Sequence, residues 1–75
     1  MNRKIFSQRI KELRAQRNIS MEVLAQAVGL KYKGTINQFE KMLTSPSVDT
    51  LIALADFFDV SIDYLVGRSD EPKRR

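Results

Sequence analysis

The stretch Ser20 to Glu40, SMEVLAQAVGLKYKGTINQFE, decides how this chain folds. Ser20 is placed to cap a helix from Met21 to about Val28, with Leu24, Ala25 and Val28 on one face. Gly29 stops it. After Leu30 comes the polar run Lys31-Tyr32-Lys33-Gly34. A second helix is predicted from about residue 33 or 34 to Lys41, with Ile36 and Phe39 turned inward. Two short helices joined through a glycine turn form a helix-turn-helix. Ala25 is small where the two must cross. In such a pair the first helix lies across a DNA backbone and the second enters the major groove. The outer face of the second helix carries Lys33, Asn37, Gln38 and Lys41, side chains that can donate to base edges and phosphates.

Working outward, the apolar period stays helical. Phe6, Ile10 and Leu13 form one stripe of a first helix, and Asn18 suits its left-handed end. Ile19 is spaced to staple onto Leu24. On the other side, Thr44-Ser45-Pro46 breaks the chain. Ser47 caps a helix over 48–58, with Asp49 in its first turn and an expected buried face of Val48, Leu51, Leu54, Ala55 and Phe58. Asp59 ends it. Val60-Ser61 repeats the staple and cap before a helix over 62–66, which Gly67 closes. Residues 68–75 are charged, contain Pro72 and are expected to be disordered. The fold class is therefore all-α, a compact five-helix domain over 1–67 with a tail over 68–75.

Composition narrows the function. With 75 residues there is room for one core. There is no cysteine and no histidine. Disulfides and thiolate sites are thus excluded, and a zinc or haem site has almost nothing to use. No metal or other cofactor is expected. The Asp residues stand singly, with no glycine-rich phosphate loop, so no catalytic residues are assigned and an enzyme is not expected. No apolar run approaches membrane-spanning length, and Arg3-Lys4-Ile5-Phe6 does not build a signal-peptide core; a cytoplasmic location is expected. The formal net charge is +4. Residues 1–17 hold Arg3, Lys4, Arg9, Lys11, Arg14 and Arg17 against Glu12. Residues 48–67 hold Asp49, Asp56, Asp59 and Asp63 and no base. A basic portion that meets phosphates, with an acidic portion facing away, fits this distribution.

Over roughly residues 5–67 the chain resembles the Cro and lambda-repressor-like (XRE-type) helix-turn-helix family. The residues that carry the resemblance include Arg9-Ile10-Lys11-Glu12-Leu13-Arg14, Ile19-Ser20, Leu24-Ala25, Gly29-Leu30, Thr35-Ile36, Phe39-Glu40, Pro46-Ser47, Thr50-Leu51, Leu54-Ala55 and the closing Val60-Ser61-Ile62-Asp63-Tyr64-Leu65-Val66-Gly67. It implies a five-helix domain that binds a double-stranded DNA operator as a homodimer and regulates transcription, as a repressor above all. The chain departs from the family pattern in places. Met21 stands where a phosphate-binding glutamine is common. The segment from Gly29 to Ile36 is one residue longer than usual, and Gly34 falls where a base-reading side chain often sits. Lys41-Met42-Leu43 replaces the glycine that ends the third helix.

The residues expected to contact DNA are Lys31, Tyr32, Lys33, Thr35, Asn37, Gln38 and Lys41. Met42 and Leu43 are adjacent and cannot both point inward from one helix face, so one of them is expected at the surface. Phe57 beside Phe58 has the same geometry. Met42, Leu43 and Phe57 are therefore candidates for a protein interface. They keep open an alternative function, a phage antirepressor or similar regulator that uses this fold to engage a repressor protein. Neither reading involves a membrane or a small-molecule substrate.

Overall fold

The computed structural model describes residues 1–74. These contain five α-helices: α1 Arg3–Gln16, α2 Met21–Ala27, α3 Lys33–Glu40, α4 Val48–Phe58 and α5 Ile62–Val66. Four begin on a side chain that accepts from the first turn. Asn2 accepts from the Ile5 N–H, Ser20 from Val23, Ser47 from Thr50 and Ser61 from Tyr64. Each bond satisfies one of the donors that has no partner inside its own helix. The α3 helix differs, because Tyr32 at its start makes no such bond.

All five helices end in the same way. Asn18, Gly29, Met42, Asp59 and Gly67 follow their last turns in the left-handed conformation, at φ 54, 77, 63, 55 and 85°. Each donates its N–H to the carbonyl three residues back, and the next residue donates to the carbonyl five back. Asn18 and Ile19 thus reach Ala15 and Arg14, while Met42 and Leu43 reach Phe39 and Gln38. This double closure uses carbonyls that the helix leaves free and turns the chain sharply. Asn, Asp and Gly enter this conformation readily; methionine does not. Gly67 is constrained twice, since a Cβ there would stand 3.1 Å from Asn2 Cβ and 3.2 Å from Ile5 Cβ.

Packing runs α2 on α3, α3 on α1, α1 on α5 and α5 on α4. The core joins Phe6, Ile10 and Leu13 to Leu24, Ala25, Ile36, Phe39, Leu54, Ala55, Phe58 and Leu65. Phe6 meets Phe39 edge-on, with ring centres 5.6 Å apart. A polar clamp lies beside this contact. Arg14 Nε and Nη2 donate to the two carboxylate oxygens of Glu40 at 2.8 and 3.0 Å, and Nη1 donates to the Ile19 carbonyl at 3.1 Å. Ser7 Oγ donates to the Glu40 carbonyl. Glu40 is only 4% exposed. Its hydrogen bonds hold the Arg14 pKa above the ordinary guanidinium value, against the opposing effect of burial.

Four sequence expectations change here. Val48 was placed on the buried face of α4 but is 72% exposed. It is the first residue after the Ser47 cap, where neighbouring elements no longer cover the helix. The stripe instead runs through half-buried Leu51 to Leu54, Ala55 and Phe58. Met42 and Leu43 are both exposed rather than one of the two, because both lie in the turn that closes α3. Phe57 is half-buried, packed edge-on against Phe58 at 5.1 Å with the Arg17 guanidinium 4.7 Å above its ring. Residues 68–74 hold no helix, yet they lie against the domain. Pro72 accepts from the Ser61 N–H, Ser69 accepts from Arg9, and Arg74 donates to the Ala55 carbonyl and Asp56. Arg75, the end of the expected tail, lies outside the described residues.

Two stability measurements follow from this framework. Met42→Gly should raise the free energy of unfolding in urea by about 1 kcal/mol, as it relieves a side chain in the left-handed region. No gain would mean that the local hydrogen bonds hold Met42 without strain. Arg14→Met should lower it by about 3 kcal/mol by leaving the Glu40 carboxylate buried without its partner. An unchanged midpoint would remove the clamp from the structure's essential contacts.

Candidate nucleic-acid interface

The inner side of α3 is anchored by Ile36, Phe39 and Glu40, all buried. That leaves the opposite side open. Lys33, Gly34 and Gln38 are exposed, as is Lys41 at the C-terminal cap; Thr35 and Asn37 are half-buried. Helical spacing brings Gly34, Asn37, Gln38 and Lys41 into one stripe. Just before the helix, Lys31 and Tyr32 are also exposed, with Lys31 Nζ 6.0 Å from the Tyr32 ring centre. All seven residues expected to touch DNA thus lie on α3 or immediately beside it. Phe57 does not, as it belongs to α4, and Met42 and Leu43 sit at the far end of α3.

The start of α3 has distinct electrostatics. No side chain caps it; the Thr35 N–H donates instead to the Tyr32 carbonyl at 3.2 Å, the Lys33 and Gly34 N–H groups precede any helical acceptor, and the helix dipole puts partial positive charge there. Lys31 and Lys33 add full charges on either side of Tyr32. An anionic oxygen from outside would satisfy this end, as phosphates do at other helix N-termini. A further cation approaches from α1. Arg3 Nε donates to Ser45 Oγ at 2.8 Å, which holds a guanidinium beside the loop that follows α3. Nothing in the sequence pattern singled out Arg3, because Ser45 is 42 residues away.

The basic N-terminal portion is divided in two by the fold. Arg9 donates to the carbonyls of Tyr64 and Ser69, pairs with Asp70 at 2.9 Å and lies 4.0 Å over the Tyr64 ring. Arg14 is held by Glu40, and Arg17 covers Phe57 and Phe58. These three guanidinium groups serve the fold, so the expectation that the bases of α1 as a set meet phosphates is corrected. The exposed cations around α3 are Lys31, Lys33 and Lys41, with Arg3 beside Ser45. On the other side, Asp49, Asp56, Asp59 and Asp63 are exposed on α4, at its end and on α5. Arg74 pairs with Asp56 at 2.7 Å and reaches Asp59 at 3.9 Å. Among the described residues no cluster of three or more metal-binding side chains occurs, and no helix is long and apolar enough to cross a membrane.

Comparison with known proteins agrees with this geometry. A family model described as "Helix-turn-helix" matches residues 10–65. The chain is 35% identical over 68 residues to the uncharacterized HTH-type transcriptional regulator YobD of Bacillus subtilis, covering 91% of this chain and 60% of that protein. It is 36% identical over 66 residues to the cryptic phage CTXphi transcriptional repressor RstR of Vibrio cholerae, covering 88% and 59%. The chain therefore spans about three fifths of the length of these relatives. Among solved structures, it superposes on the P22 c2 repressor in complex with a synthetic operator with a TM-score of 0.81. That match has 29% identity and covers 87% of this chain and 97% of the other. The restriction-modification controller protein C.AhdI from Aeromonas hydrophila matches with a TM-score of 0.75 and 28% identity, covering 84% and 94%. With its five helices, its closely packed α2 and α3 and the match to the family model, the chain belongs to the XRE-type, lambda-repressor-like helix-turn-helix family.

Proposed function

We propose that this domain is a sequence-specific DNA-binding transcriptional regulator, acting as a repressor, that sets α3 into the major groove of an operator. One observation carries the reading: burial of Ile36, Phe39 and Glu40 leaves the polar stripe of α3 facing out, with exposed Lys31 and Lys33 at its start and Lys41 at its end. Phosphate oxygens would complete the helix end, while Asn37 and Gln38 offer amides to base edges. Lys31, Lys33 and Lys41 supply the sequence-independent charge, with Tyr32 and Thr35 at the margin of the contact. The acidic side formed by α4 and α5 would face away. Repressors among the relatives support the direction of regulation. A homodimer on a two-fold operator, a cytoplasmic setting and the absence of catalysis belong to the same proposal.

Exposure of both Met42 and Leu43 favours a second reading, in which the end of α3 also engages a repressor protein. DNA recognition does not require that apolar area.

Duplexes selected from a random pool by the 75-residue chain test the main reading. The logarithm of affinity should fall with the logarithm of salt concentration by about 0.9 for each phosphate neutralised. Lys33→Ala should weaken binding alike on all sequences and lower that slope by about one. A flat salt response would remove DNA from the account and leave the protein-binding reading. Gln38→Ala should cost about 1–3 kcal/mol on the best duplex and relax preference at one base pair. Unchanged preference at every position would show that Gln38 reads nothing.

A further inference from the structure

Residues 68–74 return across the domain as a strap whose two halves are held by different means. The inner half, 68–70, is tied to α1 and α5. The Arg68 and Ser69 N–H groups donate to the Asp63 carbonyl at 2.8 and 3.2 Å. Half-buried Arg9 donates to the Ser69 carbonyl at 2.8 Å, pairs with Asp70 at 2.9 Å and stacks on Tyr64.

The outer half, 71–74, rests on exposed groups. Arg74 meets Asp56 at 2.7 Å and Asp59 at 3.9 Å, carboxylates that are 60% and 83% exposed, and donates to the Ala55 carbonyl at 3.3 Å. Ser61 donates its N–H to the Pro72 carbonyl at 2.9 Å and its hydroxyl to the Glu71 carbonyl at 3.4 Å. All four residues of this half are exposed, and no large hydrophobe anchors them. Ion pairs between exposed groups are weak and yield to salt.

Duplex DNA, with one negative charge for roughly each 1.7 Å of its axis, is a denser anion than two carboxylates. Lys73 pairs with no acid among the described residues, and Glu71 is the one acid that would travel with Lys73 and Arg74, since Arg9 holds Asp70. Four extended residues reach about 14 Å, more than half of the 22 Å width of the domain. Their root is at Arg9 on α1, about 9 Å along the helix from Arg3, which approaches the loop after α3.

We propose that residues 71–74 form a releasable DNA arm, held on Asp56 and Asp59 in the free protein and transferred to phosphates when α3 binds. The two aspartates act as an internal competitor for the duplex. The proposal rests on the DNA-binding reading and adds to it a contact from outside α3, one that the acidic side of the domain restrains.

Amide hydrogen exchange on the wild-type chain reads the release directly, because the Ser61 N–H has the Pro72 carbonyl as its acceptor. On saturation with the best selected duplex Ser61 should lose its protection, while the Leu65 N–H, bonded to the Ser61 carbonyl inside the domain, should keep its own. Lys73→Ala with Arg74→Ala should lower the salt slope of binding by about 1.8, the equivalent of two phosphates. Asp56→Asn with Asp59→Asn should raise affinity up to about fivefold, the effect of removing one exposed ion pair that competes. That gain should vanish when Lys73 and Arg74 are alanine as well. The proposal is overturned if Ser61 stays protected on DNA, or if the slope ignores the loss of both cations. It is also overturned if the gain persists without them, since that would be a general effect of charge. Each of these results leaves α3 as the DNA contact. Failure of the wild type to bind any duplex would instead remove the DNA reading and the arm together.

Discussion

The Arg14–Glu40 ion pair is the constraint on which the arrangement of this domain depends. One guanidinium ties α1 both to the turn at nearby Ile19 and to the last residue of α3, 26 positions away. Ser7 adds a bond from α1 to the Glu40 carbonyl. Burying a carboxylate is costly unless it is paired and hydrogen-bonded, and no buried side-chain polar atom among the described residues lacks a partner. Because Glu40 closes α3, this clamp fixes where the helix ends and how it is turned relative to α1. The Phe6–Phe39 contact supplies apolar packing alongside it. The stripe on the other side of α3 is presented by that anchorage.

A chain of this size must make many turns with few residues. Repeating one type of helix ending at Asn18, Gly29, Met42, Asp59 and Gly67 meets this need, since each closure turns the chain sharply and satisfies two backbone donors. Side-chain caps perform the complementary task at four of the five starts. The exceptions then become informative. At the start of α3 there is no cap, and at its end a methionine occupies the left-handed position. Both departures from local preference fall on α3, the helix proposed to enter the major groove.

Charge shows the same division of labour. Arg9, Arg14 and Arg17 belong to one basic segment, yet their partners are Tyr64, Glu40 and Phe57, far along the chain. Arginine suits such places because its planar group can stack and hydrogen-bond together. What remains around α3 is mainly lysine, a hydrated point charge suited to phosphate. Net charge therefore overstates the surface available for nucleic acid, and the geometry of individual cations is the better guide.

Much of this fold was legible in the residues themselves. Helix starts at Ser20, Ser47 and Ser61 and ends at Asn18, Gly29, Asp59 and Gly67 are set by short-range hydrogen bonding and backbone sterics, which act within a few residues. The stripe of Asn37, Gln38 and Lys41 follows from helical period once Ile36 and Phe39 are taken as buried. Exposure at Val48 and at both Met42 and Leu43 was not legible, because whether an apolar residue is covered depends on what packs over a helix end. Nor were the partners of Arg3, Arg9, Arg14 and Arg17, which are chosen by contacts between distant segments. The sequence alone thus determined the helices, their order and the polar face of α3, all products of local chemistry. Only the tertiary structure decided which cations are consumed inside the fold and that residues 68–74 lie back across it, because both depend on how separate helices are brought together.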